Sequence, residues 1–343
     1  MHETNLELDP NEASDLCRLQ APGLLERRGW DRAFLTVLDE APAEECVAVL
    51  GHERDAEPGE GWKALRVQCT VEKGEGKTHD AEACARHEGW IYLLGSQYGG
   101  KKGPLDPGRS WIARATEDDL AAAVDGDEPA LLELVRLRFG LHRAVNDAFR
   151  ESPVEVIALG EKTRARFIDA SVEDGDGAVQ PGDHPINVEG ADFRADGRLL
   201  LGLRYPTSAG GDPLLVELED VEALFEGDSV RGSAVWTLEG VGSPDEPSGV
   251  RGLHADDGER FDAVTGDVDV DEHPEGEGSP SAHVRFTLPA EASGGGALTG
   301  VRTLHEFGDQ RHVEGVADGG DGHVHYVIDR DGKVALRTLL IEA

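Results

Sequence analysis

Lysine is nearly missing from this chain: seven of its 33 basic residues are Lys, at positions 63, 73, 77, 101, 102, 162 and 333, and the rest are Arg. Against them stand 69 acidic residues, a formal charge of -36, spread along the whole chain and not gathered in a tail. Carboxylates at that density repel one another unless concentrated cations screen them, so the composition indicates a surface adapted to high salt. The shortage of basic charge also argues against nucleic acid as a partner, because phosphate backbones need a basic face.

Long apolar runs are missing too. Nothing approaches the roughly 18 residues of a membrane span, and no apolar segment of signal-peptide type follows Met1, so a cytoplasmic protein with no membrane contact is expected. Aromatic residues are 5% and hydrophobic residues 38% of the chain, yet apolar runs such as Leu199–Leu201 and Val324–Ile328 recur from end to end, enough to bury a core. The four cysteines, Cys17, Cys46, Cys69 and Cys84, stand singly, with no CxxC and no histidine at zinc-ligand spacing, which points to buried, reduced thiols.

What is present is a short pattern that returns five times. Its best copies are Asn187-Val188-Glu189-Gly190-Ala191-Asp192 and His312-Val313-Glu314-Gly315-Val316-Ala317, each followed by a Gly-containing turn and an apolar strand that leads to Arg204 and Asp329 respectively. Looser copies are Ala81-Glu82-Ala83-Cys84 leading to Trp90–Gly95 and Ser96, Val250-Arg251-Gly252-Leu253 leading to Arg260–Val264 and Thr265, and Ser14-Asp15-Leu16-Cys17 leading to Ala33–Leu38 and Asp39. A hairpin repeated in this way buries its faces only against its neighbours, and closing the ring removes the exposed edge. The chain is therefore expected to be one all-β domain over 1–343, a β-propeller of five blades, with six as the alternative. The first strand, Asn5–Leu8, and the last, Lys333–Ile341, are placed to pair across the closure. Segment 117–150, with Leu131, Leu134, Val135, Leu137 and Leu141 at near-helical spacing, reads as a helical insertion in the second blade. Acidic, Gly-rich stretches at 172–183, 267–281 and 291–299 read as surface loops.

These copies resemble the domain of unknown function 3616 family of propeller proteins, through Asp80-Ala81-Glu82-Ala83 leading to Tyr92–Ser96, Val188-Glu189-Gly190 leading to Leu201–Arg204, and Gly249-Val250-Arg251. They are more distantly similar to propellers with repeated Glu-Gly pairs, such as esterase-like phytases. The resemblance implies the propeller fold and leaves the chemistry to the site. Ala83 in place of glycine after Glu82, and Asp15 in place of Glu, depart from the pattern.

Equivalent places on the innermost strands would bring Asp15, Glu82, Glu189, Arg251 and Glu314 around a central channel. Like charges so close need compensation by a cation, by protons or by Arg251, or else serve as latches for backbone N–H groups of neighbouring blades. Oxygen ligands from Glu82, Glu189 and Glu314 would suit calcium or magnesium. A ligand rim is expected from Asp39, Ser96, Arg204 and Asp329 together with Lys101, Lys102 and Arg109 of a Gly-rich loop, the basic members forming an anion-binding edge. No GxSxG elbow or Walker A spacing is present, and Asp267–Asp271 lacks the glycine and closing glutamate of a calcium loop. The functions this pattern allows are binding of a small anionic molecule or a divalent cation at the channel, metal-assisted hydrolysis of phosphate esters or lactones, and a protein-interaction platform.

Overall fold

The five hairpins predicted from the repeat are the inner halves of five antiparallel sheets set around one axis, in a computed structural model that describes residues 2–8, 12–39, 41–71, 77–99, 105–126, 128–136, 139–173, 179–268, 279–290, 294–330 and 333–341. After β1 (His2–Leu6), blade 1 comprises β2 (Ala13–Arg18), β3 (Trp30–Leu38), β4 (Val47–Glu53) and β5 (Trp62–Arg66). A short β6 (Cys69–Val71) precedes blade 2, made of β7 (Ala81–His87), β8 (Trp90–Gly95), β9 (Trp111–Thr116) and β10 (Ala130–Arg136). Blade 3 is β11 (Asn187–Phe193), β12 (Leu199–Tyr205), β13 (Leu214–Glu219) and β14 (Arg231–Leu238). Blade 4 holds β15 (Ser248–Ala255), β16 (Arg260–Asp267) and β17 (Ala282–Thr287); then comes β18 (Gly294–Leu298), and β19 (Arg302–Glu306) completes the blade. Blade 5 is β20 (Val313–Asp318), β21 (His323–Arg330) and β22 (Lys333–Leu340), closed by β1.

The second strand of a blade has neighbouring blades on both faces, so its sequence is apolar without alternation: β12 reads Leu-Leu-Leu-Gly-Leu-Arg-Tyr and is buried at every position but Arg204. The core is accordingly divided into layers between blades, with Phe34, Leu93 and Val327 in one, Tyr92, Leu201 and Val216 in the next, and Leu253, Phe261 and Leu215 in a third. Each such side chain contributes about 1.5–3 kcal/mol by leaving water.

The ends meet as expected, β1 pairing antiparallel with β22 through Asn5 opposite Ala335. Two further edges are covered in parallel by borrowed strands: β6 lies beside the start of β10, and β18, leaving blade 4, lies along β14 of blade 3. β18 falls inside the stretch 291–299 expected as a loop. Gly295 permits its approach, because a Cβ there would stand 1.8 Å from the Val235 carbonyl oxygen, and its φ of 89° disfavours other residues.

The segment 117–150 is helical only at its ends. α2 (Glu117–Val124) is capped by the Thr116 side chain, which accepts from the Asp119 N–H at 3.1 Å, and α3 (Gly140–Glu151) packs on β14, where Gly232 leaves room for Ala144 and Ala148. Between them the expected insertion is instead β10, the outer strand of blade 2: Ala130 and Leu132 are buried while Leu131 and Glu133 are exposed, a period of two. Leucines spaced by three and four satisfied a helical template there, but pairing with β9 decided the outcome; Leu137 lies outside the described residues.

Candidate functional site

Each inner strand slips its register at the repeated motif. The slips fall between Ser14 and Cys17, Ala81 and Ala83, Val188 and Gly190, Val250 and Gly252, and Val313 and Gly315. In four blades the residue left without a partner is the motif residue itself: Glu82, Glu189, Arg251 or Glu314. A bulge inserts one residue and re-aims its side chain, so the repeat is the sequence signature of a bulge that turns a polar group toward the axis. The four bulge residues line one cup of about 210 Å³, together with Ser14, Asp39, Arg204, His312 and Asp329. Asp39, Arg204 and Asp329, expected at a separate ligand rim, line this same cup.

Asp15 does not join them. Its φ of 52° swings the side chain out of the sequence seen in the other blades, so Ser14 faces the cup and the Asp15 carboxylate is fully buried beneath it. There it accepts N–H groups from Leu16 at 2.9 Å, Cys84 at 3.2 Å, Ala191 at 3.4 Å and Leu253 at 3.3 Å. Gly315 of β20 rests against the Asp15 backbone, a Cβ there falling 2.6 Å from its carbonyl carbon, so all five inner strands meet at this residue. The expected channel is therefore a cup floored by Asp15, whose carboxylate takes backbone N–H groups of four inner strands. Burial pushes its carboxyl well above the usual range, opposed by the N–H groups it accepts.

The cup has two unlike halves. On one side Arg251 bridges two glutamates: its Nε lies 2.9 Å from Glu189 Oε2 and 2.7 Å from Glu314 Oε2, and its Nη2 bonds the other Glu314 oxygen. Arg204 Nη1 donates to Glu189 Oε1 at 2.8 Å, as does Asn187 at 2.9 Å, and Arg204 Nε donates to the Asp267 carbonyl at 3.1 Å. Burial works against the charge on Arg251, but Glu189 and Glu314 outweigh it and raise its pKa further. Arg204, expected at an anion-binding edge, and Arg251 of the channel are thereby both engaged by carboxylates. Lys101 and Lys102 lie outside the described residues.

On the other side Asp39 and Glu82 line the cup, and together with the buried Asp80 they bring one carboxylate oxygen each inside a 4.8 Å group. Burial and then the charges of Asp39, Glu189 and Asp80 push the Glu82 carboxyl well above the usual range, with a hydrogen bond from Ser14 opposing. Burial also raises Asp80, offset by Arg109, whose Nη1 is 2.8 Å away, and by the Ser96 hydroxyl, which donates to it. Ser96 and Arg109 therefore support Asp80 from behind and do not form a rim, and Thr265 is likewise buried. Asp80 was not singled out from the sequence, although it opens the stretch Asp80-Ala81-Glu82-Ala83; its φ of 65° turns it back toward Glu82. His312 is exposed at the mouth, 3.9 Å from Glu314, while His325 of β21 is buried elsewhere, against Phe34 and Trp62 of blade 1.

No family model matches the chain, and no curated protein matches it. Among solved structures it is similar to an endo-arabinanase from Bacillus licheniformis, at 11% identity and a TM-score of 0.40 over 98% of this chain and 95% of that one. An exo-1,5-alpha-L-arabinanase from a bovine ruminal metagenomic library gives 10% and 0.35 over 96% and 94%. YCF48 bound to a D1 peptide gives 9% and 0.33 over 91% of this chain, which spans 61% of that one. Identities this low concern the fold alone, and the five-bladed β-propeller rests on the strand pairing described above.

Proposed function

We propose that this propeller binds a small molecule at the cup, with a divalent cation, calcium or magnesium, held by Asp39, Asp80 and Glu82. The observation that carries the reading is the close approach of those three carboxylates from two blades, where burial makes uncompensated charge expensive and a hard cation offsets it. Of the three glutamates first considered as ligands, Glu189 and Glu314 face Arg251, which leaves Glu82 with its aspartate neighbours. An all-oxygen donor set favours calcium or magnesium over zinc.

Hydrolysis of a lactone is the second reading. It is favoured by two carboxyl groups in unlike surroundings, Glu82 among acids and Glu189 between two arginines, the kind of contrast that acid–base chemistry requires. The bound cation would supply Lewis acidity. The interaction-platform alternative calls for a broad apolar face, whereas among the described residues the large apolar side chains left exposed are Leu131 and Leu340.

Calcium should raise the melting temperature of the wild type by several degrees in molar potassium chloride, and Glu82→Gln should remove most of that gain, since a ligand stabilises only the state that binds it. A wild type indifferent to calcium and magnesium would overturn the reading.

A further inference from the structure

We propose that the ligand of the cup is a neutral, polyhydroxylated molecule of about one ring, in preference to a phosphate ester or a carboxylate; this rests on the small-molecule reading above. Six acidic residues and two arginines line the cup. With one divalent cation bound the wall still carries more negative than positive formal charge, and an anion entering it would meet that excess while the charges of Arg204 and Arg251 are already offset by Glu189 and Glu314.

A polyol meets no such penalty. Its hydroxyls donate to the carboxylates and accept from guanidinium, so adjacent hydroxyls match adjacent Glu and Arg groups. The acceptors are in place, and donors remain as well: among the described residues Nη1 of Arg251 and Nη2 of Arg204 make no hydrogen bond within the protein. Size and polarity agree. The volume of about 210 Å³ is below the roughly 300–1,000 Å³ of clefts for drug-sized ligands, and Ala13 is the sole apolar residue among those that line it, so no greasy platform awaits a larger or aromatic ligand.

Titration calorimetry in molar potassium chloride with calcium, using glucose, xylose and myo-inositol beside glucose 6-phosphate and gluconate, tests this. Expected is measurable binding of at least one neutral polyol, tighter than either anion, and weakened at least tenfold by Arg204→Gln and by Arg251→Gln. Arg204 sits partly exposed at the rim, so its variant carries the test should Arg251→Gln unfold. Tighter binding of glucose 6-phosphate or gluconate, or no binding of any neutral polyol, would overturn the proposal. Calcium response measured on the same samples separates the two layers. Its retention without polyol binding removes the ligand class alone, and its loss removes the underlying reading.

Discussion

Asp15→Ala is expected to destabilise the protein by roughly 3–5 kcal/mol, because it strips several buried backbone N–H groups of their acceptor at once. The substitution removes the side-chain acceptor of the N–H groups of Leu16, Cys84, Ala191 and Leu253 at the meeting point of the inner strands. An unsatisfied buried donor costs about 1–3 kcal/mol, and relaxation of the strands recovers only part of it. Asp15→Asn keeps the volume but replaces one acceptor oxygen by an amide NH2 that donates toward N–H groups, so it should also fall well below wild type. Ser14→Ala, one residue away, removes only the hydroxyl that supports Glu82 and should leave stability nearly unchanged. Denaturant unfolding in molar potassium chloride measures all three. A loss under about 1 kcal/mol for Asp15→Ala would mean that the blades hold the ring without this latch.

The second large effect is on the acid side of neutrality. Burial lowers the pKa of His325 to about 3 and that of His142 to about 4. His325 packs beside Phe34 and Trp62 with Nδ1 3.1 Å from Thr338 Oγ1, and His142, on α3, lies against Phe167. The unfolded chain takes up a proton on each near pH 6.5, whereas the folded chain does so only near those lowered values. The unfolded state therefore binds more protons in between, and stability falls as pH drops through that window. Each such histidine removes about 1.4 kcal/mol per pH unit. His325→Gln should reduce the slope of unfolding free energy between pH 6 and 4 by about that amount, whatever it does to the absolute value at pH 7. Equal slopes for the two proteins would show that His325 titrates normally.

Much of the architecture was legible because a propeller repeats its physics. The same bulge in four inner strands leaves the same trace in sequence, a polar residue within a small or apolar frame, which marks Glu82, Glu189, Arg251 and Glu314. Ring closure by the chain ends was legible for a similar reason, since an unpaired edge needs a partner. Legibility failed where one local conformation overrode the repeat. Asp15 occupies the motif position in sequence, but its left-handed backbone sends it to the floor and gives Ser14 its place. Asp80 stands one residue before a motif and returns toward the cup through another left-handed turn, which no spacing rule anticipates. β10 reads as helix in the sequence because short apolar runs satisfy both periods, and what decides between them is pairing with β9, which lies beyond the local window.

Equilibrium dialysis against calcium in molar potassium chloride, on wild type, Glu82→Gln and Glu314→Gln, tests the two-halved cup most directly. The account predicts one ion per chain for the wild type and for Glu314→Gln, and at least tenfold weaker binding for Glu82→Gln. No bound calcium in the wild type, or an equal loss in both variants, would contradict it.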